Sequence, residues 1–207
     1  GTRLRSDLKD LGASISVATK DFMEDINATD FSSLLTYTLG TEVGGAGGNF
    51  SGTQDFGGVY DDAMAEATTS TRVRGLLRAD VTRDYFLTDS PMDSYIVDRV
   101  EISRGPNSML FGLGSPAGIV NSGLIKANPS RQRTEIGAQF GSYGTQRYTL
   151  DHNQVLVPNT LAVRVAGLYE DTQYRIEEAF ERQKGGFITA TYRPFANTTV
   201  RANAEWG

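Results

Sequence analysis

The chain has 207 residues, 39% of them apolar and 23 of them glycine, with 20 Lys plus Arg, 25 Asp plus Glu, one histidine, no cysteine and a net charge of −5. No uninterrupted apolar run exceeds three residues, whereas a membrane helix needs roughly 20 in succession, so a helical membrane protein is excluded. Disulfide scaffolds, thiolate zinc sites, Cys nucleophiles and His-paired metal sites lack their parts, and no basic run offers a nucleic-acid surface.

From the N-terminus, Ile15 and Val17 alternate as in a short strand. Thr19 suits the cap of a helix through Ile26, and Thr29 or Asp30 that of a second through Ser33, Leu34 and Leu35. Gly44 to Gly52 is too glycine-rich for regular structure and lacks the Gly-Lys-Ser/Thr of a phosphate cradle. Asp61 and Asp62 read as solvated loop acids. Thr71 to Leu76 and Val100 to Ser103 read as strands, separated by a polar stretch, Arg78 to Tyr95, that holds Arg83, Tyr85 and Phe86.

The stretch Asp98 to Gly112 follows. Its strand puts Val100 and Ile102 on a buried face, Gly105 permits a sharp turn, Pro106 suits the first position of a short helix, and Gly112 ends that helix.

Composition changes near residue 128. Residues 1 to 127 carry 11 basic and 17 acidic side chains; residues 128 to 207 carry 9 and 8. From there on, apolar and polar residues alternate in five successive segments, as in Ile136, Ala138 and Phe140, in Tyr148 and Leu150, and in Leu161, Val163, Val165 and Tyr169. Ile188, Ala190 and Tyr192, then Val200, Ala202, Ala204 and Trp206, complete the series. Ser142 to Gly144, Asn153 to Asn159 and Pro194 to Asn197 read as turns, and Asp171 to Gly186 as one long link containing Glu177, Glu178 and Glu181. Antiparallel strands of about ten residues with aromatic ends are the pattern of an outer-membrane barrel wall, although a soluble β-sandwich shows the same alternation. His152 reads as an interfacial residue.

The stretch Asp98-Arg99-Val100-Glu101-Ile102-Ser103-Arg104-Gly105-Pro106, ending at Phe111-Gly112 and followed by Gly118 and Asn121, resembles the plug signature of TonB-dependent outer-membrane receptors. Ser14 to Asp30, Ser33 to Leu35 and the Arg74-Gly75 step resemble the family's preceding elements in order. Ala117-Gly118 stands where the family commonly has two glycines, and Ser122 to Lys126 replaces its Thr-Lys pair.

The resemblance implies an α+β plug domain over residues 1–127 followed, over 128–207, by the first five antiparallel strands of a transmembrane β-barrel. Five strands would leave two edges unpaired in lipid, at several kcal/mol per unsatisfied backbone group, so an N-terminal fragment of a longer receptor is expected.

It further implies active uptake at the outer membrane of a Gram-negative bacterium, powered by the TonB-ExbB-ExbD complex. The cargo is most often a ferric siderophore, with cobalamin or a carbohydrate as alternatives. No cofactor, resident metal or catalytic residue is expected. The family's apical loops correspond to about Thr41 to Gly58 and Leu77 to Tyr95, where Phe50, Arg83, Tyr85 and Phe86 suit an anionic chelate through stacking and charged hydrogen bonds. Arg74 and Arg104 correspond to arginines that latch the plug to barrel carboxylates. The remaining motif positions are Gly75, Arg99, Glu101, Gly105, Pro106, Gly112, Gly118 and Asn121. With an ascending first strand, Ser142 to Gly144 and Asp171 to Gly186 face outward and the other two turns face the periplasm. A soluble β-rich binding module would instead pack its apolar rows against one another, and a secreted hydrolase would pair Asp61 with Asp93 or Glu101.

Overall fold

The computed structural model describes residues 14–43, 71–74, 79–105, 115, 117–176 and 178–207. Phe50, Asp61, Asp62, Gly75, Pro106, Gly112 and Glu177, with the glycine-rich segment after Val43, lie outside the described residues. The chain divides into two compact units, residues 1–124 and 125–207.

The first unit runs β1 (Ser14–Thr19), α1 (Lys20–Asp25), α2 (Phe31–Thr36), β2 (Thr41–Val43), β3 (Thr71–Val73), β4 (Asp80–Arg83), β5 (Phe86–Leu87), β6 (Val97–Arg104) and β7 (Gly118–Leu124), with a 3-10 turn at Ser94–Ile96. Both helices start where the sequence signals them. Thr19 Oγ1 accepts the Phe22 N–H at 3.2 Å, and Asp30 and Ser33 form a reciprocal capping box, with Asp30 Oδ1 accepting the Ser33 N–H at 2.8 Å. Six-residue helices do not stand alone in water; burial of Met23, Phe31, Leu34 and Leu35 anchors them.

The five-stranded sheet has the order β1-β6-β7-β4-β5, with only the β4/β7 pair parallel. Strand β6 lies between two neighbours, and its residues Val100 to Ser103 are all buried, polar ones included. At Gly118 the backbone takes φ +128°, and an added Cβ would fall 2.0 Å from the Ser103 carbonyl oxygen, so only glycine fits. The polar stretch expected as an open loop from Arg78 holds instead a hairpin, β4/β5, and the 3-10 turn. These strands are four and two residues long, too short for a period-two pattern to emerge.

The second unit is an antiparallel meander of β8 (Arg133–Phe140), β9 (Gln146–Val157), β10 (Leu161–Gln173), β11 (Phe180–Phe195) and β12 (Thr198–Trp206). Five strands appear where five were read, but they run longer. The expected link from Asp171 to Gly186 is mostly strand, because Asp171 pairs with Arg182 and Gln173 with Phe180, leaving only residues 174–179 as the connection. Likewise β9 continues to Val157, so Asn153 to Val157 is strand rather than turn. Charged residues broke the apolar alternation in the first place, and Asn153 with Gln154 in the second, while the backbone ladder continued.

Candidate functional site

The β4/β5 hairpin is the most specific piece of geometry in the first unit. Arg83 and Phe86 pair across a two-residue turn whose members, Asp84 (φ 47°) and Tyr85 (φ 69°), both lie in the left-handed region. The turn is fastened to the sheet from below. Asn121 Oδ1, buried on β7, accepts the Tyr85 N–H at 2.7 Å and the Thr82 hydroxyl at 2.9 Å. The Asp84 N–H donates to the Ser122 carbonyl at 2.9 Å. The Tyr85 phenol donates to Glu101 Oε2 on β6, and Arg99 Nε donates to Glu101 Oε1 at 2.8 Å.

Burial, and then the hydrogen bond to the Glu101 carboxylate, push the Tyr85 phenol well above its ordinary 10. The Glu101 bond raises the Arg99 guanidinium in turn, against its burial. Phe86 is differently placed: 78% of it is exposed, against 38% of Tyr85. Arg83 lies beside them and donates from a terminal nitrogen to the Pro91 carbonyl at 3.3 Å.

Arg74 and Arg104 come together. The Arg74 N–H donates to the Gly40 carbonyl at 2.8 Å at a residue with φ 59°, and an added Cβ on Gly105 would stand 3.2 Å from the Arg74 guanidinium. Arg104 donates to Ser16 Oγ at 2.8 Å and to the Leu39 carbonyl at 2.5 Å, while its buried Nε has no hydrogen-bond partner among the described residues. Burial, then the adjacent Arg74 charge, lower the Arg104 guanidinium from its ordinary value. Two like charges are thus held side by side.

The second unit buries a mixed polar and apolar face and leaves an apolar row open. The buried face holds Arg147 (4% exposed), Asp151, Asn153, Thr189 and Thr191 beside Ala162, Ala166, Leu168 and Phe187. The open row holds Ile136 (80% exposed), Phe140, Leu150, Ile188, Val200 and Trp206. Buried charges are matched. Arg164 grips Asp151 with two nitrogens, Nε to Oδ1 at 2.7 Å and Nη2 to Oδ2 at 2.5 Å, and Arg147 pairs with Glu170, directly opposite in the β9/β10 register.

On the open face an aromatic row crosses successive strands. Phe140 meets Tyr148 edge-on at 6.0 Å, Tyr148 lies 6.5 Å from Tyr169, and Lys184 sits 5.9 Å over the Tyr169 ring. From Tyr148 to Leu156 the strand rises about 27 Å, or ~21 Å after a tilt of about 40°, close to the ~25 Å apolar band of an outer-membrane wall. A soluble module would bury this row.

The profile described as "TonB-dependent Receptor Plug Domain" matches residues 7–119. This chain belongs to that family. Its sequence is 30% identical over 185 residues to the metal-pseudopaline receptor CntO of Pseudomonas aeruginosa, covering 89% of this chain and 23% of that protein. It is 31% identical over 132 residues to the ferrichrome outer membrane transporter/phage receptor of Escherichia coli, covering 64% and 17% respectively. The chain thus spans about a quarter or less of the length of these relatives. In fold it matches the ferripyoverdine receptor of the Pseudomonas aeruginosa outer membrane with a TM-score of 0.79 at 18% identity, over 99% of this chain and 26% of that one. The alcaligin receptor FauA of Bordetella pertussis gives 0.78 at 20%, over 99% and 33%. The chain is therefore a plug domain followed by antiparallel strands of the kind these barrel receptors carry.

Sequence motifs located the plug residues Arg99, Glu101, Gly105, Gly118 and Asn121, but not what they do together. The convergence of Glu101 and Asn121 beneath the Asp84-Tyr85 turn has no local signal, since their contacts span 16 and 36 positions along the plug. The Arg147–Glu170 and Arg164–Asp151 pairs were visible only as members of a polar row.

Proposed function

We propose that this plug and sheet form the N-terminal part of an outer-membrane, TonB-dependent receptor that takes up a ferric siderophore or a similar iron chelate. The observation that carries the reading is the burial pattern of the second unit, with an apolar row outward and matched charges inward on a chain whose first unit is a plug. Such a sheet suits a wall between lipid and a polar interior. The iron-chelate lean rests on relatives that include the ferrichrome transporter, the ferric-pyoverdine 358 receptor of Pseudomonas putida and a probable siderophore receptor, PiuA, of Acinetobacter baumannii. Residues 1–127 serve as plug and 128–207 as the opening five strands of the wall.

Phe50, Arg83, Tyr85 and Phe86 make up the ligand apex, with the exposed Phe86 ring offering a stacking face and Arg83 a cation to an anionic chelate. Arg74 and Arg104, two adjacent guanidiniums, await carboxylates from the barrel and act as the latch between plug and wall. Energy arrives through TonB and its ExbB-ExbD partners.

The experiment is uptake of radioactive iron as hydroxamate, catecholate and mixed chelates by a deletion strain carrying the complete gene, with and without TonB. TonB-dependent uptake of at least one chelate is expected. Uptake of cobalamin or an oligosaccharide with no iron chelate transported would overturn the substrate class, and recovery of the receptor in the soluble fraction would overturn the whole reading.

A further inference from the structure

We infer that Asn153, Asn159 and Arg164 form a clasp that makes the link between plug and first wall strand part of the wall, so that the plug rearranges against a fixed C-terminal anchor. The inference rests on the reading of the chain as part of a transporter whose plug moves.

The link, Lys126 to Arg131, falls in the second compact unit and is held there through its backbone. Asn153, 5% exposed on β9, uses its whole amide on it. Its Oδ1 accepts the Asn128 N–H at 2.8 Å, and its Nδ2 donates to the Asn128 carbonyl at 2.9 Å and to the Arg131 carbonyl at 2.6 Å. Arg164 stands opposite Asn153 in the β9/β10 register. Its grip on Asp151 orients it, and the remaining nitrogen, Nη1, donates to the Lys126 carbonyl at 3.2 Å. From the turn after β9, the Asn159 N–H donates to the Pro129 carbonyl at 2.8 Å, and its Oδ1 accepts the Ser130 hydroxyl at 3.0 Å. Within the link, Asn128 Oδ1 accepts the Ser130 N–H at 2.9 Å, and Pro129, whose ring fixes φ, is buried.

Arg147 on the same buried face pairs with another side chain, Glu170. Asn153 is turned instead to main-chain groups, and a buried amide gives up such bonds only at a cost. Contacts of this kind fix the path of the link whatever its side chains. That matters when the plug is pulled. Six loose residues can extend to about 20 Å, slack that a pull would take up before the plug deformed. The clasp removes it.

The test uses the full-length receptor with no other cysteine, carrying Ser130→Cys and Asn159→Cys at two exposed positions of a stretch that holds no cysteine itself. The pair is joined after insertion in the outer membrane by a short, reducible bis-thiol reagent. Comparing the linked receptor with the same receptor after reduction cancels whatever the substitutions do to folding. Uptake is followed with radioactive iron as ferrichrome, a ferric pyoverdine and a ferric tris-catecholate. Linking is expected to leave TonB-dependent uptake unchanged. Asn153→Ala, added to the pair, should lower uptake several-fold with chelate binding unaltered, and linking should restore it, which a folding defect would not allow. Asn153→Ala should also speed hydrogen exchange at Asn128, Ser130 and Asn159 together by about tenfold, the scale of one lost hydrogen bond. The Asn159 amide does not touch Asn153, so its acceleration reports one cooperative unit.

Uptake lost on linking and regained on reduction would mean that the link must part from the wall, and would overturn the inference while the transporter reading stands. Normal uptake in Asn153→Ala, a loss that linking does not restore, or faster exchange at Asn128 alone would reduce the three residues to local stability and overturn it as well. No TonB-dependent uptake of any of the three probes by the wild type would overturn the transporter reading, and the anchor role with it.

Discussion

Glu101 carries a carboxylate into the middle of a buried strand, and its neighbours explain how. Burial opposes its charge, yet the hydrogen bonds that it accepts from Tyr85 and Arg99 help hold the carboxyl below its ordinary 4.5. A carboxyl lowered by folding contributes its full stability above the unfolded value and loses it as pH falls through the folded one. Protonating Glu101 in acid is therefore expected to weaken its bonds to Tyr85 and Arg99, and Glu101→Gln to lessen that acid dependence; exchange of β6 amides at neutral and acid pH measures both. Tyr85 has the opposite sign. Its phenol is raised, so its contribution is complete below 10 and lost as pH climbs through the higher folded value. Of the nine tyrosines, it should be among the last to ionise in an ultraviolet titration, and an early phenolate at this position would break the Glu101 assignment. Gly118 is a purely steric case: Gly118→Ala drives a methyl against the Ser103 carbonyl and should destabilise the plug by more than about 1 kcal/mol, read as lost outer-membrane receptor.

Among the elements, the two short helices were legible because capping is a local event, decided by Thr19 over three residues and by Asp30 with Ser33. Asp30→Ala removes the acceptor of the capping box and should cost about 1 kcal/mol, measurable as faster exchange in α2. The β4/β5 hairpin was not legible, since its turn carries tyrosine in place of glycine and its strands are held by Asn121 and Glu101 far along the chain. Strand ends in the second unit were misjudged for a related reason. Asp171 and Arg182 read as loop by composition, but they pair across a ladder in which Arg182 Nε reaches Asp171 at 2.8 Å. Between β9 and β10, the little-exposed Arg164–Asp151 pair sets up a sharper test. Arg164→Leu alone should cost roughly 3–5 kcal/mol because Asp151 loses its bidentate partner, whereas converting both residues to apolar ones should recover most of that loss. A thermodynamic cycle on the refolded receptor reports the difference.

At the scale of the whole molecule, the two units differ in what they leave open. The plug hides Val100, Ile102 and Val120 in the usual way, while the C-terminal sheet hides Arg147, Asp151 and Asn153 and presents Ile136, Leu150 and Ile188 outward. Val165 lies on that outward row, facing His152 and Ile188 across the ladders, midway between Tyr169 and Leu161. A charge placed there should meet lipid. Val165→Arg is expected to destabilise the full-length receptor by about 2–4 kcal/mol, seen as reduced heat-modifiable folding in vesicles, and an unaffected fold would contradict the lipid-facing assignment.

By itself the sequence determined the period of the strands, the caps of the helices and the ordered plug motifs from Arg74 to Asn121, because each is written in residues close together in the chain. It could not decide which face of the alternating sheet turns inward, since period two is the same for a soluble sandwich and a membrane wall. Only the tertiary structure decided that, through the burial of Arg147 and Asp151 opposite an open apolar row. It also decided the setting of Tyr85, whose strained turn is held by side chains on β6 and β7, for no local propensity encodes a contact made across the sheet.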